Sequence, residues 1–405
     1  MYRALRFLCI FTLPLVSLLL AFLPGFGGVS HALSPHIRSI FSSSLRDQFT
    51  NDQLYGVTAL AANDAWAVGY DTDGNQLNTG AIEHWNGTQW STIHNPNPSG
   101  HIVPGLYAVT AETAANVWAV GSYNDSYSKV RQTLTEHWNG NKWRVISSPN
   151  VGYLDNVLNG VSVITASDIW AVGSYGTNAN TSQGLIEHWD GKQWSVISSP
   201  TIGASSTLTG VAAISSSDVW AVGYYHGNSS PTQALIEQWN GTSWTIIPSP
   251  NPGLDAFLTG VAAISSNDVW AVGYIARDDV TLIEQWNGTS WNVVPSQNPG
   301  LDNSLFAVAA LSMNDIWAVG SFLVGSGSTL TLIEHWDGTS WSVIPSPNEN
   351  QSNYNLLWAI AGSATNSVWA VGYYVKQNNI TGRTLTEYWN GVQWSIVHSP
   401  NLASK

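Results

Sequence analysis

Short apolar runs separated by polar turns fill the chain from residue 53 to 399. In one stretch LTGVAAI (258–264) and VWAVGY (269–274) flank a polar turn, and TLIEQW (281–286) and WNVVP (291–295) follow. Runs of this length, rich in β-branched and aromatic residues, predict four short strands. Apolar residues stand at adjacent positions instead of alternating strictly, so both faces of each small sheet are expected to be buried.

This pattern recurs seven times, each time around the sequence Trp-Ala-Val-Gly. The motif begins at Trp66, Trp118, Trp170, Trp220, Trp270, Trp317 and Trp369. Each copy is followed by a second motif whose fullest form is LIEHWDGTSW (332–341). A period near 50 residues with four strands per repeat predicts an all-β, seven-bladed β-propeller with four antiparallel strands in each blade.

The predicted organisation has three parts. Residues 1–32 are a signal peptide, residues 33–52 are an N-terminal segment that could add a closing strand or be a linker, and residues 53–399 are the propeller. The predicted blades span approximately 53–98, 105–150, 157–200, 207–250, 257–298, 304–348 and 356–400.

The strand, turn, VWAVG, loop, strand, turn and Trp order is similar to that of the Kelch repeat. The chain therefore resembles the Kelch and galactose-oxidase-central-domain propellers, and especially secreted bacterial proteins with Trp-Ala-Val-Gly repeats. It differs in having one Gly where Kelch has two, and Trp-Asn-Gly or Trp-Asp-Gly where Kelch has Tyr-Asp-Pro. The resemblance implies the fold and is nearly silent about function, because propellers host many unrelated activities.

The N-terminus predicts secretion. Arg3 and Arg6 precede an apolar run, and Ser30-His31-Ala32 offers small residues for cleavage after Ala32. An uncleaved membrane anchor is the alternative, because the apolar run is nearly long enough to span a bilayer when tilted. Cleavage would remove Cys9, the only cysteine, and would leave a chain without disulfides or thiolate ligands.

Charge narrows the range of partners. Without Arg3 and Arg6 the chain keeps 11 basic and 26 acidic residues, a net charge of about −15. So acidic a chain, with its few cations scattered, is a poor candidate for binding nucleic acid or an anionic membrane. Contact with a membrane is expected only through an uncleaved N-terminus, and the protein is expected to be a monomer.

Residues present in every repeat are expected to serve the fold. Each predicted third strand carries a Glu, which an Asn-Gly or Asp-Gly hairpin with a two-residue type I′ turn would place opposite the next Trp, as Glu83 opposite Trp90. These Glu residues are predicted to accept hydrogen bonds between blades from indole or backbone N–H groups. The residue that follows each Glu is His in four repeats, Gln in two and Tyr388 in the seventh, and it is predicted to be a packing or hydrogen-bonding residue. Turn residues such as Asp268 are predicted to bond their own turn backbone.

One position differs between repeats and is the predicted ligand site. It lies eleven residues before each Trp-Ala-Val-Gly, and its occupants from blade one to blade seven are Tyr55, Tyr107, Asn159, Thr209, Thr259, Phe306 and Trp358. We call it the variable slot. Its residues are predicted to begin the innermost strands and to ring one mouth of the channel. The four aromatic ones fall in adjacent blades and could stack on a sugar ring or hold an apolar side chain of a partner, or could merely fill space.

No catalytic constellation is apparent. The resemblance itself excludes galactose-oxidase chemistry, whose site needs a Cys joined to a Tyr. Arg131, Arg277 and Arg383 lie in separate blades, His94, His101 and His226 have no ligand spacing to unite them, and no cofactor or metal is expected. The sequence therefore predicts a secreted or cell-surface, non-enzymatic module that binds a glycan or a protein. A secreted carbohydrate-active hydrolase or lyase is the alternative.

Overall fold

Four-stranded antiparallel sheets are the repeating element of the structure, a computed structural model. It describes residues 51–72, 78–96, 102–124, 130–178, 180–227, 231–325, 327–349, 352–376 and 382–401. Strands are the only regular elements within these ranges. The predicted signal peptide and nearly all of the predicted closing strand lie outside them.

Each repeat consists of four consecutive strands. Repeats 1 to 4 contain β1 (Gln53–Ala61), β2 (Asp64–Thr72), β3 (Asn78–Trp85), β4 (Trp90–Thr92); β5 (Ile102–Thr113), β6 (Asn116–Asn124), β7 (Arg131–Trp138), β8 (Trp143–Ile146); β9 (Asn156–Thr165), β10 (Asp168–Asn178), β11 (Thr181–Trp189), β12 (Trp194–Ile197); β13 (Ser205–Ser215), β14 (Asp218–His226), β15 (Gln233–Trp239) and β16 (Trp244–Ile246). Repeats 5 to 7 contain β17 (Ala256–Ser265), β18 (Asp268–Ile275), β19 (Val280–Trp286), β20 (Trp291–Val293); β21 (Leu301–Ser312), β22 (Asp315–Leu323), β23 (Thr329–Trp336), β24 (Trp341–Val343); β25 (Ser352–Ala364), β26 (Ser367–Lys376), β27 (Gly382–Trp389) and β28 (Trp394–Ile396).

Pairing within a repeat follows chain order. Repeats 1 to 5 each form a separate four-stranded sheet. Repeats 6 and 7 are joined into one eight-stranded sheet by a single parallel bridge between Thr329 of β23 and Tyr354 of β25. Apart from that bridge, both repeats keep the antiparallel order of the others.

The first strands of successive repeats lie side by side. Contacts run from β1 through β5, β9, β13, β17 and β21 to β25, and β25 in turn contacts β1. The backbone N–H of Asp52 also donates to the Gly382 carbonyl of repeat 7 at 3.1 Å. The first strands therefore surround a common centre, and the beginning of the described chain packs against its end.

Tryptophan side chains form the contacts between repeats. The Trp of each Trp-Ala-Val-Gly is buried on β2 or its counterpart, and it touches both Trp residues that flank the last hairpin of the next repeat. Ring centroids lie 5.1 Å from Trp66 to Trp138 and 5.5 Å from Trp66 to Trp143. Trp369 of repeat 7 meets Trp85 and Trp90 of repeat 1 in the same way, both at 4.9 Å. The same stacking thus joins the last repeat to the first.

The hairpin between the third and fourth strands differs from its prediction. Trp85 pairs with Trp90, so four residues form the loop, and Glu83 lies opposite Thr92 instead of Trp90. Only Gly87 has positive φ, so the turn is not type I′. The Asn86 side chain explains this, since its Oδ1 accepts the N–H groups of residues 88 and 89 and so closes the turn by itself.

Five of the seven second strands begin with an Asp, and its role differs from the one predicted. Asp168 Oδ1 accepts from Trp170 Nε1 at 3.1 Å and lies 2.8 Å from His188 Nε2 on the next strand. Where His is replaced, Gln285 donates to Asp268 at 2.9 Å. Asp168, Asp268 and Asp315 therefore fix the indoles of their own Trp-Ala-Val-Gly motifs, whereas the indole N–H groups of Trp66 and Trp220 have no partner among the described residues. The His or Gln is the hydrogen-bonding residue that the sequence predicts.

The third-strand Glu residues are buried between repeats. Ser199 Oγ at the end of repeat 3 donates to Glu237 of repeat 4 at 3.0 Å, and Ser249 donates to Glu284 at 2.9 Å. Serine hydroxyls are thus the principal donors in place of the expected indole N–H groups. Burial raises the pKa of Glu237 to about 7 and that of Glu136 to about 8. These carboxyls therefore keep their proton at pH values well above 4.5, where an ordinary Glu ionises.

Candidate functional site

A β-bulge stands at the variable slot in all seven repeats. In repeat 7 the pairing between β25 and β26 shifts between Leu357 and Ala359, which leaves Trp358 without a partner, and the other first strands shift at the equivalent residue. A bulge adds one residue to a strand and re-aims its side chain. The fold therefore gives this position a common geometry, and the sequence gives it different side chains.

The Gly of Trp-Ala-Val-Gly makes the bulge possible. A Cβ on Gly372 would lie 2.0 Å from the Leu356 carbonyl oxygen, and one on Gly173 would lie 1.9 Å from that of Val157. No side chain can be accommodated at such distances, so the motif preserves the close backbone approach beside the slot.

The sequence predicts that the variable slot begins each first strand, but in the structure it lies near the start of the strand only in some repeats. Tyr55 is the third residue of β1, but Tyr107, Phe306 and Trp358 lie near the middle of β5, β21 and β25, which extend further upstream. These long strands begin in blade junctions whose sequences differ from those of the other repeats, so the repeat pattern gave no sign of the extension.

The polar residues of the slot are bonded to backbone. Asn159 Nδ2 donates to the Leu208 carbonyl at 2.8 Å, and Thr209 and Thr259 donate in the same way to the first strand of the following repeat. These three predicted ligand-binding side chains therefore tie adjacent first strands together, and the hydroxyl hydrogens of the two Thr residues and one amide hydrogen of Asn159 are already in use.

The aromatic residues of the slot touch one another. Phe306 lies 4.5 Å from Trp358, Trp358 lies 5.7 Å from Tyr55, and Tyr55 lies 5.8 Å from Tyr107, all between ring centroids. We call these four residues, all half-buried, the aromatic cluster. Trp358 Nε1 has no hydrogen-bond partner among the described residues. The structure thus brings the four predicted residues together as one half-buried group, in which the unpaired indole N–H of Trp358 is itself buried.

A hydrogen-bonded network adjoins the aromatic cluster. Tyr55 Oη donates to Gln53 Oε1 at 2.6 Å, Gln53 Nε2 donates to Asn51 at 2.9 Å, and Asn51 Nδ2 donates to Tyr70 Oη at 2.7 Å. Burial and the neighbouring tyrosines raise the pKa of Tyr55 well above its ordinary value. Its hydroxyl therefore stays protonated. The network was missed from the sequence because Asn51 and Gln53 precede the first repeat motif.

A buried acid lies behind this network. Burial and the neighbouring Asp71 carboxyl raise the pKa of Asp52 to about 9, whereas the positive charge of Arg383 opposes the shift. Both Asp52 and Asp71 expose only 3% of their surface. Asp52 is thus a neutral acid that solvent and ligand reach poorly, and it belongs to the closure between repeats 7 and 1.

Two arginines for which the sequence suggested no shared site, Arg131 and Arg277, form ion pairs with aspartates of the blade junctions. Arg131 Nε donates to Asp155 at 2.9 Å, and Arg277 donates to Asp255 at 3.2 Å. Asp155 and Asp255 also accept backbone N–H groups from the preceding repeat. These residues fix the blade junctions. Within the described ranges, no group of three or more His, Cys, Asp or Glu residues is arranged to hold a metal ion, and no helix is long and apolar enough to cross a membrane.

Comparisons with known proteins show the fold and no family. Neither a protein family nor a curated protein matches the chain. Among solved structures, the polysaccharide lyase PL25 ulvan lyase bound to -[GlcA(1-4)Rha3S]- is similar with a TM-score of 0.53 and 8% identity, over 86% of this chain and 96% of that one. The chain therefore has a β-propeller-like, all-β repeat structure.

Two YCF48 structures are also similar, at lower scores. YCF48 bound to D1 peptide has a TM-score of 0.47 and 14% identity over 80% of this chain and 92% of that one. YCF48 from Cyanidioschyzon merolae has a TM-score of 0.48 and 14% identity over 80% of this chain and 94% of that one.

Proposed function

We propose that the chain is a seven-bladed β-propeller of Kelch-like type that is secreted and binds a ligand without transforming it. The cyclic stacking of tryptophans supports the blade number, because each of the seven repeats contacts the next and the last contacts the first. The N-terminal signal pattern supports secretion.

The aromatic cluster carries the proposal of binding. All four members stand at bulges, lie in the adjacent repeats 6, 7, 1 and 2, and stay half-buried. Aromatic side chains used only as packing are expected to be buried more fully, as the Trp-Ala-Val-Gly indoles are. A ring surface of this kind takes up the apolar face of a sugar or an apolar side chain.

The surroundings of the cluster favour a glycan. Hydroxyl and amide groups of Tyr55, Gln53 and Asn51 lie beside the rings. Ring faces next to neutral hydrogen-bonding groups suit a polyhydroxylated ligand. A protein ligand is the other partner that this surface would suit.

The ligand is expected to be uncharged. Acidic residues outnumber basic ones by 26 to 13, and Arg131 and Arg277 are already paired with aspartates. A polyanionic glycan would find no free bidentate arginine at these loops. This distinguishes the proposed ligand from the uronate and sulfated sugar bound to the ulvan lyase.

A secreted carbohydrate-active enzyme remains the second candidate, and Asp52 is the observation in its favour. A carboxyl with a pKa of about 9 stays protonated at neutral pH and could act as a general acid. Its 3% exposure argues against this role, because an acid catalyst must reach the bond that it protonates.

A binding screen tests the proposal. Neutral glycans, acidic glycans and peptides are incubated with the wild-type protein, with Trp358→Ala and with Phe257→Ala. Phe257 is a matched control, since it is a half-buried aromatic of repeat 5 that packs on Tyr224 and Tyr274 and does not belong to the aromatic cluster. We expect a neutral glycan to bind the wild type and the control and to lose at least tenfold in affinity in Trp358→Ala. Equal binding by Trp358→Ala would contradict the role of the cluster, and turnover of a glycan would favour the enzyme.

A further inference from the structure

Repeat 3 lacks a hydrogen-bonded staple that five other repeats have. In repeats 2, 4, 5, 6 and 7 an Asn beyond the fourth strand accepts the N–H of a third-strand residue, and these pairs are Asn150 with Thr133, Asn251 with Ala234, Asn298 with Thr281, Asn348 with Thr331, and Asn401 with Thr384. In repeat 3 the equivalent residues are Thr201 and Gly184. The Gly184 N–H is instead bonded to Ser206 Oγ at 3.1 Å.

A cavity stands where the staple is missing. Its volume is about 270 Å³, and Tyr175, Gln183, Gly184, Ser198 and Thr201 are among its lining residues. Thr201, which is shorter than the Asn it replaces, leaves this space open. A volume near 300 Å³ is at the lower limit of small-molecule sites, so the cavity would admit a single ring and exclude a longer chain.

The hydroxyl of Tyr175 also lacks the partner that the equivalent hydroxyls have in two other repeats. In repeats 2 and 4 the equivalent tyrosines, Tyr123 and Tyr225, donate to the Gln that faces them on the third strand. In repeat 3 Gln183 Oε1 accepts from Ser206 Oγ at 3.1 Å instead. Tyr175 Oη then makes no hydrogen bond with a described residue. A phenol and a carboxamide therefore face the cavity with hydrogen-bonding capacity to spare.

The lining carries no ionisable acid or base apart from this phenol. Hydroxyl, amide and backbone groups alternate with the apolar Val151 and Val196. Tyr153, which is 96% exposed, belongs to the same loop as Val151. A neutral ligand with many hydroxyls would satisfy these groups, whereas a charged one would find no counter-charge.

We propose that this cavity is a binding site for one uncharged sugar residue, separate from the aromatic cluster. The tyrosine ring offers an apolar face for the sugar, and its hydroxyl and the Gln183 amide offer the polar contacts. The site follows from a local departure of repeat 3 from the other repeats and does not depend on the function proposed above.

Saturation-transfer NMR of the full chain with methyl glycosides of glucose, galactose, mannose, xylose and N-acetylglucosamine tests this site, with glucuronic acid as the charged comparison. Gly184→Thr combined with Thr201→Asn restores the staple and fills the cavity. Gly184 has no positive φ, but a Cβ there would meet Ser199 Oγ at 3.2 Å and Leu208 Cδ1 at 3.3 Å, so both side chains must shift to accept the change. Ala234→Thr is the matched control, because it adds the same side chain in repeat 4, where the staple is intact.

We expect at least one neutral glycoside to bind the wild type and Ala234→Thr, and its signal to fall at least fivefold in the restored variant. Each measurement is repeated in proteins that also carry Trp358→Ala. This substitution alters the aromatic cluster alone, so it should leave the signal from the repeat 3 cavity unchanged. Tyr175→Phe should weaken binding by roughly two- to tenfold, the contribution of one hydrogen bond, and it decides the matter if the double variant does not fold. Absence of binding by every neutral glycoside, or undiminished binding in the filled or Tyr175→Phe variant, would overturn the proposal.

Discussion

Replacing one buried glutamate should change how the stability of the protein depends on pH. Glu136 has no exposed surface, and neither of its carboxyl oxygens has a hydrogen-bond partner among the described residues. Burial alone raises its pKa from 4.5 to about 8. Because the folded state holds the proton more tightly than the unfolded chain, the contribution of Glu136 to stability is complete below pH 4.5 and is lost as the pH rises to 8.

The size of this effect follows from the shift. One proton released on unfolding changes the free energy of unfolding by about 1.4 kcal/mol per pH unit, so the loss over the whole range is about 5 kcal/mol. Glu136→Gln keeps the shape and removes the titration. Relative to wild type, the variant should therefore gain about 3 kcal/mol between pH 5.5 and pH 8 and nothing further above that.

Urea unfolding followed by tryptophan fluorescence measures this from pH 5.5 to 9, a range above the isoelectric point of about 5.0. Glu112→Gln is the control, since it makes the same exchange at an exposed position of the same repeat. If Glu136→Gln and wild type lost stability in parallel across this range, Glu136 would not be a buried neutral acid and the interpretation of all seven third-strand glutamates would be wrong.

Three further predictions concern the repeat motif. Trp270→Ala removes a fully buried indole between repeats 5 and 6 and should cost about 3–5 kcal/mol in urea unfolding. Gly273→Ala would place a Cβ 1.9 Å from the Phe257 carbonyl oxygen and should lower the melting temperature sharply, whereas Gly325→Ala, with nothing within 4 Å, should not. Asp268→Ala leaves the indole N–H of its own repeat without its acceptor and should lower the free energy of unfolding by about 1–3 kcal/mol, a loss that Asp268→Asn, which keeps an acceptor oxygen, should largely avoid.

The sequence predicted those features that repetition makes visible. Seven copies of Trp-Ala-Val-Gly gave the period, and four strands lie in each repeat as expected. The role of the Gly was not visible, because it depends on a carbonyl about 16 residues earlier that approaches across a bulge, as Val157 approaches Gly173. The hairpin was mispredicted because Asn86 closes its turn with a side chain, which a rule on backbone dihedral angles does not consider.

The variable slot was found from the sequence, but its chemistry was not. Alignment on the repeats located Tyr55, Tyr107, Phe306 and Trp358 and placed them in adjacent repeats, and the structure brings their rings into contact. Alignment could not show that Thr209 and its polar counterparts are already bonded to a neighbouring strand. Alignment of the repeats gives no information on side chains outside them, such as Asn51, because their neighbours depend on how the first and last repeats pack together.

The stacking of Trp369 on Trp85 and Trp90 adds one interface between repeats that an open array of the same repeats would lack. Seven repeats in a row share six interfaces, but here the last repeat also contacts the first, so there are seven. No repeat is a cap, and no position in the cycle is structurally an end. The packing between repeats therefore does not depend on which two neighbouring repeats are left unconnected by the chain. A circular permutant that opens between repeats 3 and 4 and joins the present ends should retain every one of these tryptophan contacts.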